Sequence, residues 1–236
     1  MSGRTYVLVH GAFHGGWCWD DVAALLRAGG GTVYTPTLTG LCERAAESTP
    51  QTNLTTHVTD VVRLLDEEDL HDVVLVGHSY GGAVITGVAH RRGERLGALV
   101  YLDAFVPEDG QSVSSIADAH TPGLTDQLLK IVGADRRLPC IYTVEQFTGW
   151  VGERADMLAT QLSAQPIETF LEPVKAKGKV AARQTYVYCS TAPLGLFERY
   201  ADATRHSPAW RYFQLATHHN AMMTMPATVA EIVATA

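Results

Sequence analysis

The segment VVLVGHSYGGAVI, Val73 to Ile85, sets one serine, Ser79, between glycines where an apolar run of strand character gives way to one of helical character. Gly77-His78-Ser79-Tyr80-Gly81 fits G-x-S-x-G, a sharp strand-to-helix turn that holds its central hydroxyl out at a helix N-terminus. There the unpaired N–H groups and the helix dipole favour developing negative charge. A hydroxyl is a weak nucleophile near neutrality, so this chemistry demands a base and a site for an oxyanion. VHGAFHGGWCW, residues 9–19, follows the first strand-like run and offers the backbone N–H of Ala12. The N–H of Tyr80, directly after Ser79, is the second expected donor. The base is expected after the last strand, and LATHHNAM (215–222) presents both His218 and His219 there. Spacing does not choose between them. Of the other histidines, His10 and His14 read as hydrogen-bonding members of the oxyanion loop and His78 as the variable residue of the turn. His57, His71, His90, His120 and His206 lie on helices or in polar segments and read as surface residues.

These groups need a scaffold, and the hydrophobic pattern describes one. TYVLVH (5–10), TVYTP (32–36), DVVLVGH (72–78) and ALVYLDAF (98–105) are short, β-branched or continuously apolar, and read as strands. Between them lie helical patterns: residues 18–28, stopped by Gly29-Gly30-Gly31; Leu54, Val58, Val61, Val62 and Leu65 on one face; and Tyr80 to His90. Apolar strands alternating with helices predict an α/β fold, a parallel sheet covered on both faces. The alternation breaks over 106–182, where helix-like pieces occur without a clear strand. It resumes with QTYVYCS (184–190), FERYADA (197–203), WRYFQLA (210–216) and a helix after Pro226. The expected organisation is a core of 1–105 and 183–236, with 106–182 inserted as a helical cap over the carboxyl edge of the sheet, where open α/β sheets bind ligands.

The bulk properties exclude several classes. A chain of 236 residues, 46% hydrophobic and 18% charged, fits one folded domain and not a disordered one. The net charge of −7, without a basic run, argues against nucleic acid. Cys18, Cys42, Cys140 and Cys189 show no metal-site spacing and read as reduced thiols in a cytoplasmic protein. No apolar stretch is long enough to span a membrane, and the N-terminal apolar run is too short for a signal peptide.

HGAFHGGWCW (10–19), GHSYGG (77–82) and HNAMMTMP (219–226) resemble the α/β-hydrolase superfamily, and within it the group of plant methyl esterases, hydroxynitrile lyases and small bacterial esterases. The resemblance implies an α/β-hydrolase fold with Ser79 as nucleophile and Ala12 and Tyr80 as oxyanion donors. The group's terminal His-x-Ala-Met pattern selects His219 as the base. Two differences favour hydrolysis over cyanohydrin cleavage: the lyases carry lysine where this chain has Asn220, and threonine where it has Gly11. The group's usual acid follows the strand ending near Cys189, but CSTAPLG (189–195) holds no carboxylate. Glu198 and Asp202, further on, read as solvent-facing. Asp103 ends the strand after the nucleophile's helix, at the same sheet edge as Ser79, and some members place their acid there. The competing role for Asp103 is to cap the turn AFVPEDG (104–110).

The sequence thus predicts a serine hydrolase that cleaves a small carboxylic ester through an acyl-enzyme, with a Ser79-His219-Asp103 triad and no metal or cofactor. Phe13, Trp17 and Trp150 are the candidate substrate contacts; Tyr142, Phe147, Met157 and Phe170 are other apolar residues of the insertion. The Ala221-Met222-Met223 run reads as core. The expected partner is a small-molecule ester, with no nucleic acid and no membrane, and the sequence is compatible with a homodimer. The rival readings are a lyase of the same fold and a non-catalytic small-molecule binder.

Overall fold

A computed structural model describes residues 3–191 and 195–236; within its helices, the side chains of Val144, Phe147, Thr148 and Trp150 are outside the described set. Six strands form one sheet: β1 (Thr5–Val9), β2 (Thr32–Tyr34), β3 (Val73–His78), β4 (Leu96–Leu102), β7 (Arg183–Cys189) and β8 (Trp210–Leu215). Their order is β2-β1-β3-β4-β7-β8, and every pairing is parallel. Parallel neighbours need crossovers. These are α1 (Asp20–Ala28), α2 (Leu54–Glu67), α3 (Gly81–Arg92) and α9 (Glu198–Arg205), while α10 (Ala221–Thr224) and α11 (Pro226–Ala234) follow the last strand. The chain leaves β1 for one side of the sheet and returns for β3 on the other. The loops after β1 and β3 therefore flank the crevice where the winding reverses.

The sequence accounts for these elements locally. Asn53 caps α2 by accepting from the Thr56 N–H, and the Thr56 hydroxyl accepts from the Asn53 N–H. Leu54, Val58, Val61, Val62 and Leu65 of α2 are all buried, each contributing about 1.5–3 kcal/mol of transfer free energy. Every residue of β3 is buried, as its continuous apolar character requires of a central parallel strand. Ala221, Met222 and Met223 are core residues.

Residues 106–182 leave the sheet after β4 and return to it at β7. They carry α4 (Val113–His120), α5 (Leu124–Leu129), α6 (Val144–Val151), α7 (Ala155–Gln161) and α8 (Glu168–Leu171). They also contain a strand pair that the sequence pattern does not predict: β5 (Arg137–Leu138) runs antiparallel to β6 (Gln165–Pro166). Two residues are too few to show the alternation by which strands are read.

Candidate active site

Ser79 follows β3 directly and precedes α3. Its φ is +54°, a left-handed conformation that costs a non-glycine residue about 1–2 kcal/mol. Local hydrogen bonds hold it there. The Ser79 N–H donates to the Leu102 carbonyl (3.2 Å), and its carbonyl accepts from Gly82 (3.0 Å) and Phe105 (3.1 Å). The close packing explains the motif's first glycine: a Cβ on Gly77 would lie 2.6 Å from the Gly81 carbonyl oxygen.

Asp103 follows β4 at the same edge, also left-handed, with φ +43°. Its N–H donates to the Val187 carbonyl at 2.7 Å. Its two carboxylate oxygens have separate partners. Oδ1 accepts from the Cys189 N–H at 3.2 Å, at the end of the neighbouring β7, and Oδ2 lies 2.7 Å from His219 Nδ1. Asp103 is fully buried and His219 nearly so. Both oxygens point across the sheet edge, so turn capping at 104–110 is not their role. Glu198 and Asp202 are exposed. His218 is only half-buried, and its Nδ1 has no partner among the described residues. The His219 ring is stacked on Phe197 (centroids 5.2 Å apart, planes 8° apart) and abuts His78 at 4.5 Å. His78, fully buried, donates its Nε2–H to the His219 carbonyl at 3.0 Å.

The loop after β1 is fixed by two histidines. His10 Nδ1–H donates to the Gly11 carbonyl at 2.8 Å, while its Nε2 accepts from the Leu38 N–H at 3.0 Å. Pinning the Gly11 carbonyl turns the other edge of that planar peptide, the Ala12 N–H, the opposite way. His14 Nδ1–H holds the Ala12 carbonyl at 2.7 Å. Among the described residues, neither the Ala12 N–H nor the Tyr80 N–H donates to a protein acceptor. Burial lowers the pKa of His10 from 6.5 to about 3 and that of His14 to about 4. His78 is likewise driven well below its usual value, by burial first and then by the neighbouring histidines. All three are neutral at neutral pH, each donating through one ring nitrogen.

Ala12, Phe13, Ser79, Tyr80 and His219 share one cavity of about 110 Å³, closed by Phe105, Phe197 and residues of the insertion, including Leu128, Tyr142 and Phe170. Among the described residues, its lining carries no Asp, Glu, Lys or Arg. Of the candidate substrate contacts, Phe13 lines this cavity. Trp17 stacks on His14 and lines a separate cleft with Asp21, Arg154 and Met223. The side chain of Trp150 lies outside the described residues, as does that of Phe147, and so do Ala192 and Pro193 where the group's usual acid would fall.

One histidine departs from expectation. His57 is fully buried, not a surface residue. It lies on the apolar face of α2, where two hydrogen bonds satisfy its ring: Nε2–H donates to the Thr39 carbonyl and Nδ1 accepts from the Tyr80 hydroxyl, both at 2.8 Å. Its position three residues after Leu54 and four before Val61 was the available signal. Phe105, Phe197, Gln165 and Thr169, which the sequence reading did not single out, also belong to the site's surroundings.

Comparison with known proteins agrees with this geometry. The model of the Alpha/beta hydrolase family matches residues 6–232. The chain is 36% identical to a carbendazim hydrolyzing esterase of Nocardioides sp. (strain SG-4G), over 96% of this chain and 97% of that one. It is 26% identical to a pheophorbidase of Raphanus sativus, over 95% and 90%. An extracellular alpha/beta-hydrolase from a Paenibacillus species, described as sharing structural and functional homology with tobacco salicylic acid binding protein 2, superposes with a TM-score of 0.84 at 26% identity, covering 99% of this chain and 98% of that one. The chain belongs to the alpha/beta hydrolase family, as a carboxylic ester hydrolase.

Proposed function

We propose that this hydrolase cleaves a small, uncharged ester through an acyl-enzyme on Ser79, with His219 as base, Asp103 as its acid and the N–H groups of Ala12 and Tyr80 as the oxyanion hole. The observation that carries this reading is the buried 2.7 Å bond between Asp103 Oδ2 and His219 Nδ1, at a cavity that Ser79 also lines. With Nδ1 committed to Asp103, Nε2 is the nitrogen that takes the Ser79 proton as Oγ attacks the ester carbonyl. Asp103 fixes that tautomer and stabilises the imidazolium. The tetrahedral oxyanion points at the Ala12 and Tyr80 N–H groups, the latter at the N-terminus of α3 where the helix dipole adds to it. Collapse expels the alcohol, which takes the proton back from His219. Water then repeats the sequence on the acyl-enzyme and releases the acid.

The cavity argues for the substrate class. An apolar, aromatic wall whose only ionisable side chains among the described residues are His219 and two tyrosines favours an uncharged group, and a volume of about 110 Å³ favours a small one. We further propose that residues 106–182 act as a cap, since they supply much of that wall, and that the enzyme is cytoplasmic, its four cysteines being unpaired. No helix among the described residues is long and apolar enough to cross a membrane. The lyase reading is weakened at Gly11, where a Cβ would fall 2.7 Å from His78 Nδ1 and 3.0 Å from Ser79 Cβ. The buried His78 ring leaves no room for threonine there. The test is a panel of p-nitrophenyl esters of increasing acyl length, alongside methyl esters of aromatic acids, assayed with the parent enzyme and Ser79→Ala. The short and aromatic esters should turn over and the variant should be inactive. Hydrolysis undiminished in the variant would overturn the proposal.

A further inference from the structure

Besides its own histidines, the oxyanion loop is held by a buried glutamine of the insertion. Gln165, in β6, is fully buried. Its Oε1 accepts from the Phe13 N–H at 3.0 Å, across 152 residues of chain. Because a backbone N–H can only donate, this bond fixes which end of the amide faces the loop. The Nε2 group then donates to Thr169 Oγ1 at 2.7 Å, and that hydroxyl donates to the Pro166 carbonyl at 2.6 Å. Thr169 is also fully buried.

Phe13 needs such a hold. It is a non-glycine residue at φ +66°, directly after Ala12. Its carbonyl accepts from the Ser163 N–H at 2.9 Å, and the Ser163 hydroxyl accepts from the Cys42 N–H at 2.8 Å. The Ala12–Phe13 peptide is therefore pinned on both edges, its carbonyl by His14 and its N–H by Gln165. The first of these comes from the loop itself, the second from the insertion.

We propose that Gln165 is a positioning residue for the oxyanion hole: it sets the loop that carries Ala12. This rests on the reading of Ala12 and Tyr80 as the donors. It gives the insertion a part in the chemical step in addition to its part in the cavity wall. Oxyanion donors act within a few tenths of an ångström, and misplacement by about 1 Å can cost about 100-fold in rate. The uncharged ground-state carbonyl uses those donors far less, so the loss should fall on kcat and spare KM.

The experiment compares the parent enzyme with Gln165→Leu, which keeps the side-chain bulk and removes both polar atoms. Its readouts are kcat and KM for p-nitrophenyl acetate, inhibition by phenylboronic acid, and Tm. The boronic acid adds to Ser79 Oγ as a tetrahedral anion with no leaving group, and so reports the oxyanion hole directly. The expected result is a kcat lower by about 10-fold to 100-fold, a KM within about twofold, and boronate affinity reduced by the same factor as kcat/KM. A kcat within about twofold of the parent, or weakened turnover with unchanged boronate inhibition, would overturn the inference; a merely structural role lowers Tm and leaves the folded enzyme's kcat in place. Should Gln165→Leu fail to fold, Thr169→Val decides: it removes the hydroxyl that orients the amide, and an unchanged kcat there rejects the inference. Ser79→Ala, run in parallel, separates the two levels. Activity surviving in that variant rejects the nucleophile itself, whereas an inactive Ser79→Ala beside a fully active Gln165→Leu rejects only the role of Gln165.

Discussion

Asp103→Asn is the substitution whose consequence the structure specifies most closely. The two carboxylate oxygens meet different partners, the Cys189 N–H at 3.2 Å and His219 Nδ1 at 2.7 Å. An asparagine must turn its amide NH₂ toward one of them. Cys189 presents a backbone N–H that can only donate, so the amide oxygen stays there and the NH₂ faces His219. The imidazole can answer by moving its proton: Nδ1 becomes the acceptor and Nε2 carries the hydrogen. That tautomer presents a donor to Ser79 where a base is required. Loss of the base and of imidazolium stabilisation should lower kcat by about 10²–10⁴, or roughly 3–5.5 kcal/mol of barrier. Stability should change little, because each buried polar atom keeps a partner. The assay is kcat/KM on p-nitrophenyl acetate beside Tm, with the imidazole nitrogen shifts of His219 read by NMR. A variant within about threefold of the parent rate would refute the tautomer argument, as would a His219 that still carries its proton on Nδ1.

Three other outcomes follow from the site and its surroundings. His219→Ala should match Ser79→Ala in lost activity, while His218→Ala, bonded to no acid among the described residues, should stay within about threefold of the parent; steady-state kinetics on the three variants ranks them, and an inverted order would transfer the base. Stability should fall as pH drops below about 6.5. His10, His14 and His57 have pKa values lowered by burial to about 3, 4 and 4. Between 6.5 and those values the unfolded chain binds protons that the folded one does not, so each group removes about 1 kcal/mol per pH unit on acidification. Denaturant unfolding at pH 7, 6 and 5 measures this, and a midpoint constant over that range would contradict it. Phe170→Ala should open the cavity wall beside Phe13 and Tyr80 and move acyl preference toward longer chains, at a stability cost of about 3–5 kcal/mol; an unchanged chain-length profile would take Phe170 out of the specificity wall.

The core of this fold could be read in the sequence because parallel strands buried on both faces announce themselves as apolar runs, and because the turn at Ser79 needs glycine on either side for the strand and helix to meet. The left-handed Ser79 and the parallel six-stranded sheet follow from features confined to a few neighbouring residues. Asp103 was reachable by topology, since the end of β4 had to lie beside the end of β3. What stayed hidden depends on contacts across long stretches of chain. His57 reads as a helix residue of ordinary polarity until Thr39 and Tyr80 are placed around it. Gln165 has no local signature at all, as its partner Phe13 lies 152 residues away. Trp17 lies four residues after Phe13 in the same segment, yet the left-handed turn at Phe13 sends the two rings to different cavities.

The central claim is that Ser79 becomes acylated during turnover. Rapid-quench reaction of the enzyme with p-nitrophenyl acetate, followed by proteolysis and mass spectrometry of the peptides, tests it without inference from variants. The account predicts a burst of p-nitrophenol matched by one acetyl group per chain, carried on Ser79 and lost with time. Acetyl on another residue, or full turnover with Ser79 unmodified at every quench time, would contradict it.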